Sequence, residues 1–74
     1  MFPLTSRVTC GRTMPDVYRF YYQSRPFGEA VAIDDAFYVA HSFTESGRVV
    51  ASLRDAARWL ESIEDAVPAP LAAA

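Results

Sequence analysis

The chain has 74 residues, of which 51 % are hydrophobic, and a formal net charge of −2. A domain of this length buries only about 60 % of the surface of its unfolded chain, which leaves room for one small core. The seven basic residues are all arginine, and they stand against nine acidic residues. This balance argues against general nucleic-acid binding, which requires a clustered basic surface.

One cysteine, Cys10, and one histidine, His41, provide neither an internal disulfide nor a zinc framework. The longest apolar run, 36–40, is far shorter than a membrane span, and the first residues lack the pattern of a signal peptide. We therefore expect a cytoplasmic protein that uses no metal, no cofactor and no membrane.

The first residues show a weak period-two alternation that Pro3 and Gly11 interrupt. One side of it carries Leu4, Ser6, Val8 and Cys10, and the other carries Thr5, Arg7 and Thr9. A second methionine, Met14, stands just before the first clear strand pattern. We expect residues 1–13 to form either an edge strand or a leader outside the core, and residues 14–67 to form the domain.

The strongest strand pattern runs from Asp16 to Gln23 and is β-branched and aromatic. Its more apolar face carries Tyr18, Phe20 and Tyr22. The other face carries Val17, Arg19, Tyr21 and Gln23. Residues 24–28 contain a proline suited to the second turn position and a glycine able to take a positive φ, which predicts a hairpin turn.

Two further strands are predicted over 29–33 and 36–43, separated by a turn at Asp34 and Asp35. The predicted core side of these strands carries Val31, Ile33, Phe37, Val39, His41 and Phe43. The other side of the second strand carries Tyr38, Ala40 and Ser42. A turn over 44–47 and a short strand over 48–51 then lead to the helix.

An amphipathic helix is predicted from Ser52 to Val67 and ends at Pro68. Ser52 caps its first turn and Asp55 supplies the acid of a capping box. The apolar stripe comprises Leu53, Ala56, Ala57, Leu60, Ile63 and Val67, with Trp59 at its edge. Glu64 falls inside this stripe, which indicates either fraying of the last turn or an acidic edge that faces a partner. The Pro- and Ala-rich residues 68–74 are expected to be flexible.

The predicted fold is therefore α+β, an antiparallel meander of three to four strands with the C-terminal helix packed on one face. No enzymatic activity is expected, because neither a nucleophile–base pair nor a metal set can be assembled from this composition. His41 is predicted to be a core or boundary residue, Cys10 a small buried or half-exposed thiol, and Asp34 and Asp35 turn residues.

The sheet face away from the helix is the candidate binding surface, with Arg19, Tyr21, Tyr38 and Arg48 as its predicted contact residues. Arginine and tyrosine are enriched at the centres of protein interfaces. The same residue types stack on bases and contact phosphates. Protein binding and DNA binding by this face both remain open at this point.

Residues 49–63 resemble the end of the three-stranded N-terminal DNA-binding domain of phage-type integrases. The resemblance rests on a Ser-capped helix after a strand, matched by Ser52, Ala56, Trp59 and Leu60. It implies DNA contacts from basic residues of the open sheet face, which would here be Arg19 and Arg48.

The strand, the Ser52 cap and the spacing to Trp59 also resemble small phage-encoded anti-CRISPR proteins. That resemblance implies an enzyme-free α+β domain that occupies a surface of a host defence complex. We expect a protein-binding inhibitor of this kind, with a small DNA-binding domain as the alternative.

Overall fold

The computed structural model describes residues 1–66, which form six strands and one helix. The elements are β1 (Phe2–Pro3), β2 (Val8–Met14), β3 (Val17–Tyr22), β4 (Arg25–Ile33), β5 (Ala36–His41), β6 (Gly47–Val50) and α1 (Leu53–Ala66). The strands follow one another across a single sheet in chain order, and every pair is antiparallel. The α+β meander is as predicted, but it has six strands rather than three to four.

The two additional strands come from the N-terminal segment. Val8 and Cys10 of β2 are fully buried, and Cys10 lies opposite Phe20 of β3. Residues 1–13 are therefore part of the sheet and its core, and a domain boundary at Met14 would cut through β2. The segment does supply an edge strand, the two-residue β1, but β2 of the same segment lies one strand inside the sheet.

The β3–β4 hairpin turns at Gln23 and Ser24, whose φ angles are 49° and 72°. Two consecutive positive φ angles in a two-residue loop match the twist of the flanking strands. The predicted hairpin is present, but its turn lies earlier than the predicted 24–28, because residues from Arg25 onward, including Gly28, belong to β4 and no glycine of residues 1–66 has a positive φ. The predicted turn at Asp34 and Asp35 is confirmed, with a φ of 53° at Asp34.

The register of β4 decides which residues form the core. Phe20 pairs with Gly28 and Tyr21 with Pro26, so Phe27 is an extra, bulged residue, and it is fully buried. Beyond this bulge the small side chain of Ala30 faces the helix and is fully buried between Tyr18 and Val39.

Three predicted core residues are therefore exposed. Val31 and Ile33 are 41 % and 50 % exposed on the opposite face, and Phe43 is 63 % exposed in the turn after β5. For Val31 and Ile33 the prediction was wrong because the register of β4 places Gly28 and Ala30 on the helix side, where Leu60 leaves no room even for a Cβ atom at Gly28. Phe43 is exposed because β5 ends at His41.

The helix begins as predicted. The hydroxyl of Ser52 accepts a hydrogen bond from the Asp55 N–H at 3.1 Å, which satisfies one of the free amides of the first turn. The fully buried core comprises Val8, Cys10, Phe20, Phe27, Ala30, Val39, Ala56, Ala57 and Leu60. Leu60 packs directly on Gly28, where no side chain intervenes. The helix end predicted at Val67 and the tail 68–74 lie outside the described residues.

Acidic residues at the end of α1 are neutralised by arginines of the sheet region. Arg7 donates to Glu61 at 2.9 Å and to both oxygens of Asp65 at 3.1 and 3.0 Å. These hydrogen bonds, first that of Asp65 and then that of Glu61, raise the pKa of Arg7. Because carboxylates oppose the dipole at a helix C-terminus, these external cations stabilise the last turns.

Glu64 is held in the same way. Its carboxylate binds Arg25 and lies 3.4 Å from Nε2 of the buried His41. The prediction that Glu64 marks a frayed turn is therefore wrong, since α1 continues to Ala66 and Glu64 lies at the helix–sheet junction.

Candidate functional site

One face of the sheet is covered by no element of residues 1–66, and it carries a continuous row of large apolar side chains. Directly paired residues of β2 to β6 form this apolar row, namely Met14, Val17, Val31, Tyr38 and Val49. Four of them are well exposed, at 59 % for Met14, 41 % for Val31, 44 % for Tyr38 and 64 % for Val49. A half-exposed Ile33 extends the apolar surface beside the row.

The Tyr38 ring packs on the backbone at Gly47, which has no side chain in the space that the ring occupies. A Cβ atom at Gly47 would lie 2.0 Å from the Tyr38 Oη, so the tyrosine ring lies against the backbone of β6. This contact restricts the positions open to the ring on that side. An aromatic side chain that is already ordered loses less conformational entropy on binding.

Arg19 and Tyr21 lie beside the row on β3. The Arg19 guanidinium donates to one oxygen of Glu29 at 3.1 and 3.0 Å, across the β3–β4 pair. Both side chains are about half exposed, and Glu29 raises the pKa of Arg19. Arg19 thus forms a neutral pair with Glu29. Tyr21 is half-buried beside Gly11 and Thr9.

Arg48 does not lie on this face. It pairs with Val39, a fully buried residue, so its side chain leaves the sheet on the helix side. There it lines a groove with Arg58 and Trp59. The four predicted contact residues therefore divide into Arg19, Tyr21 and Tyr38 on the open face and Arg48 on the other.

Most of the apolar row was absent from the predicted site. Val31 was assigned to the core, and Met14, Val17 and Val49 received no role. The signal that would have found Val31 is the alternation Ala30, Val31, Ala32, read with the alanine pair of the helix. Alanines on a helix allow it to approach a sheet closely, and small residues then fit at the point of closest contact.

His41 is placed for a structural role. It is 3 % exposed, and its Nδ1 accepts hydrogen bonds from the Phe43 and Thr44 amides, both at 3.2 Å. Since Nδ1 accepts, the neutral ring carries its proton on Nε2, which faces Glu64 at 3.4 Å. Its hydrogen-bond partners within the described residues are thus two backbone amides and the Glu64 carboxylate. The ring ties the turn after β5 to the helix.

The other groups considered for chemistry are isolated. Cys10 is buried in the core, and this burial raises its pKa to about 11. Asp34 and Asp35 are exposed at their turn. Over residues 1–66, no three His, Cys, Asp or Glu side chains meet in an arrangement suited to a metal ion. The one helix of this part of the chain is too short and too polar to span a bilayer.

The open face has almost no net charge. All seven arginines fall within residues 1–66, and among them Arg19 alone lies on this face. The others occupy the helix, the helix side of the sheet or the segment bound to the helix, namely Arg7, Arg12, Arg25, Arg48, Arg54 and Arg58. The strip next to the apolar row thus carries the Arg19–Glu29 ion pair, which has no net charge, with a glycine on one side and an alanine on the other.

A scan against protein-family models and searches of curated proteins and of solved structures found no match to this chain.

Proposed function

We propose that this chain is a non-enzymatic protein-binding module that covers an apolar surface of a partner with the open face of its sheet. The observation that supports this proposal is the uncovered apolar row across β2 to β6. Contiguous exposed apolar patches are uncommon on small soluble domains and mark interaction surfaces. A fold that buries only a small core gains nothing from leaving this row in water.

The arrangement has the composition of an interface centre with a polar border. Val31 and Tyr38 lie in the middle of the row, and the Arg19–Glu29 pair and Tyr21 lie along one side. Tyrosine and arginine supply much of the binding free energy at such centres. Because these residues lie on paired strands, little backbone ordering is required on association.

The same face offers little support for the alternative, DNA binding. Affinity for DNA comes mainly from cations that neutralise phosphates, and Arg19 is already paired with Glu29. Arg48, the second cation that the integrase resemblance would require on this face, lies on the helix side.

We further propose that the partner is a host defence complex and that binding inhibits it, as anti-CRISPR proteins do. That part rests on the strand, the Ser52 cap and the Trp59 spacing. A domain that acts by occupying a surface needs no catalytic group.

The test is site-specific photo-crosslinking in the native host. A photoreactive residue is placed at Val31, in the centre of the row, and a matched one at Arg54, an exposed position on the helix. We expect one protein to crosslink from Val31 and not from Arg54, and Val31→Asp to abolish its co-purification. Equal crosslinking from both positions, or recovery of nucleic acid without a stoichiometric protein, would contradict the proposal.

A further inference from the structure

The sheet ends in two very different edges. On one side β1 has two residues and ends in Pro3, which cannot donate a backbone hydrogen bond to a further strand. On the other side β6 pairs with β5 alone within residues 1–66 and contains no proline. An open edge of this kind is a template for another extended chain.

The backbone groups of β6 that face outward can be assigned from the ladder. The Ser46 carbonyl accepts a hydrogen bond from the His41 N–H at 2.8 Å, so Ser46 faces β5. In an antiparallel pair this orientation alternates along the strand. Gly47 and Val49 therefore direct their N–H and C=O groups away from the sheet.

A groove of about 500 Å³ runs along this edge between β6 and α1. Its walls include Val50, Trp59 and Ser62, and its charged residues are Arg48, Arg58 and Asp55. Arg7, Arg19 and Arg25 each bind a carboxylate, but neither Arg48 nor Arg58 forms an ion pair with any described residue. The groove thus carries two arginines without ion pairs and one carboxylate, so its lining residues are positive on balance.

We propose that β6 binds an extended acidic peptide segment of a partner as a seventh strand, with its backbone on Gly47 and Val49 and its carboxylates toward Arg48 and Arg58. Side chains of an added strand alternate between the two faces. Those on the helix side enter the groove beside Trp59, and those on the other side continue the apolar row past Val49. The fitting segment therefore alternates acidic and apolar residues.

A second copy of this chain fits the edge poorly. Pairing of β6 with β6 of another copy would bring Arg48 and Arg58 of both molecules to one seam, and like charges across strands destabilise pairing. An acidic segment neutralises the same arginines. The charge of the groove thus selects a peptide over self-association.

The proposal can be tested with short synthetic peptides and Trp59, the single tryptophan, as a fluorescent reporter. The probe alternates glutamate and valine. One control alternates lysine and valine, and a second carries the glutamate sequence with N-methylated backbone amides that cannot extend a sheet. We expect the first peptide alone to change Trp59 fluorescence and to protect the Gly47 and Val49 amides from hydrogen exchange.

Substitutions then locate the charges. Arg48→Ala and Arg58→Ala should each weaken the glutamate peptide about two- to fivefold, as expected for partly exposed ion pairs. Arg54→Ala, an exposed arginine elsewhere on the helix, should leave the affinity unchanged. Equal binding of the lysine or N-methylated peptide would overturn the proposal. The proposal would also be overturned if the wild-type chain bound none of the peptides and a variant with both Arg48→Ala and Arg58→Ala self-associated, because the arginines would then only prevent pairing of β6 with a second copy.

Discussion

The contact between Gly28 and Leu60 supports a prediction that depends on the close approach of helix to sheet. A Cβ atom at position 28 would lie 2.7 Å from both Leu60 methyl groups and 3.0 Å from the Ala40 carbonyl oxygen. Leu60 is fully buried and cannot move into solvent. Gly28→Ala should therefore destabilise the fold, although alanine is normally the better strand residue.

The magnitudes follow from the geometry. Overpacking by one methyl group should lower the free energy of unfolding by about 1–3 kcal/mol. Alanine also lowers the backbone entropy of the unfolded chain, which offsets about 0.5–1 kcal/mol of this loss. Leu60→Ala alone should cost about 2–5 kcal/mol through lost burial and a cavity. In the double variant the methyl group at position 28 occupies part of that cavity. The combined loss should be smaller than the sum of the single losses by about 1–3 kcal/mol.

Urea denaturation followed by circular dichroism and by Trp59 fluorescence gives the free energy of unfolding for each variant. Gly11→Ala is the matched control, because a Cβ atom there meets Met1 and Tyr21 at 3.9 Å, an ordinary contact. It should be neutral or slightly stabilising. Losses at Gly28 and Leu60 that add within about 0.5 kcal/mol would show that the two residues do not contact each other.

Three other predictions concern single groups. Cys10 should resist thiol reagents in the native state. Burial raises its pKa from 9.0 to about 11, so the thiol of the unfolded chain ionises at lower pH than that of the folded chain. The free energy of unfolding should therefore fall as the pH rises from 9.0 to about 11, and it should fall more in wild type than in Cys10→Ala. Glu64→Ala should cost about 1–3 kcal/mol of stability by leaving His41 Nε2 without an acceptor, and Glu64→Gln should cost less, so equal losses in urea would contradict the contact. Tyr38→Ala should weaken partner binding by about 1–3 kcal/mol in a titration with the crosslinked partner, as should Arg19→Ala, each with a smaller loss of stability.

Patterns within single elements were sufficient to predict much of this fold. The Ser52 cap, the apolar stripe of α1 and the alternation of β3 each lie within a few residues of sequence, where local geometry dictates the result. The turn at Asp34 and Asp35 is equally local. These features need no knowledge of what packs against them.

The faces of β4 could not be predicted in the same way. Valine and alanine alternate there, and hydrophobicity alone favours Val31 for the core. The helix reverses this choice, because Leu60 lies so close to Gly28 that a Cβ atom there would clash, and Ala30 is fully buried on the same side of β4. Which side of β4 faces the core depends on the distance between the helix and the sheet, and the sequence of one strand does not reveal that distance.

Long-range pairing also determined the outcome for the N-terminal segment and for the candidate site. Arg7 binds Glu61, 54 positions away, and this contact holds the start of the sheet to the helix. Arg19 and Tyr38 lie in strongly patterned strands, which made their face predictable. Arg48 lies in a four-residue strand whose orientation depends on its register with β5.

The distribution of charge links the two binding surfaces that we propose. The acidic end of α1 occupies Arg7 and Arg25, which leaves the open face nearly neutral and the β6 edge positive. Salt should therefore affect the two surfaces differently. Between about 50 and 200 mM salt, binding of the glutamate–valine peptide to β6 should weaken severalfold, whereas binding of the partner through Val31 and Tyr38 should change little. If partner binding showed the steeper loss, cations outside the open face would carry it, and the apolar row would not be the interface.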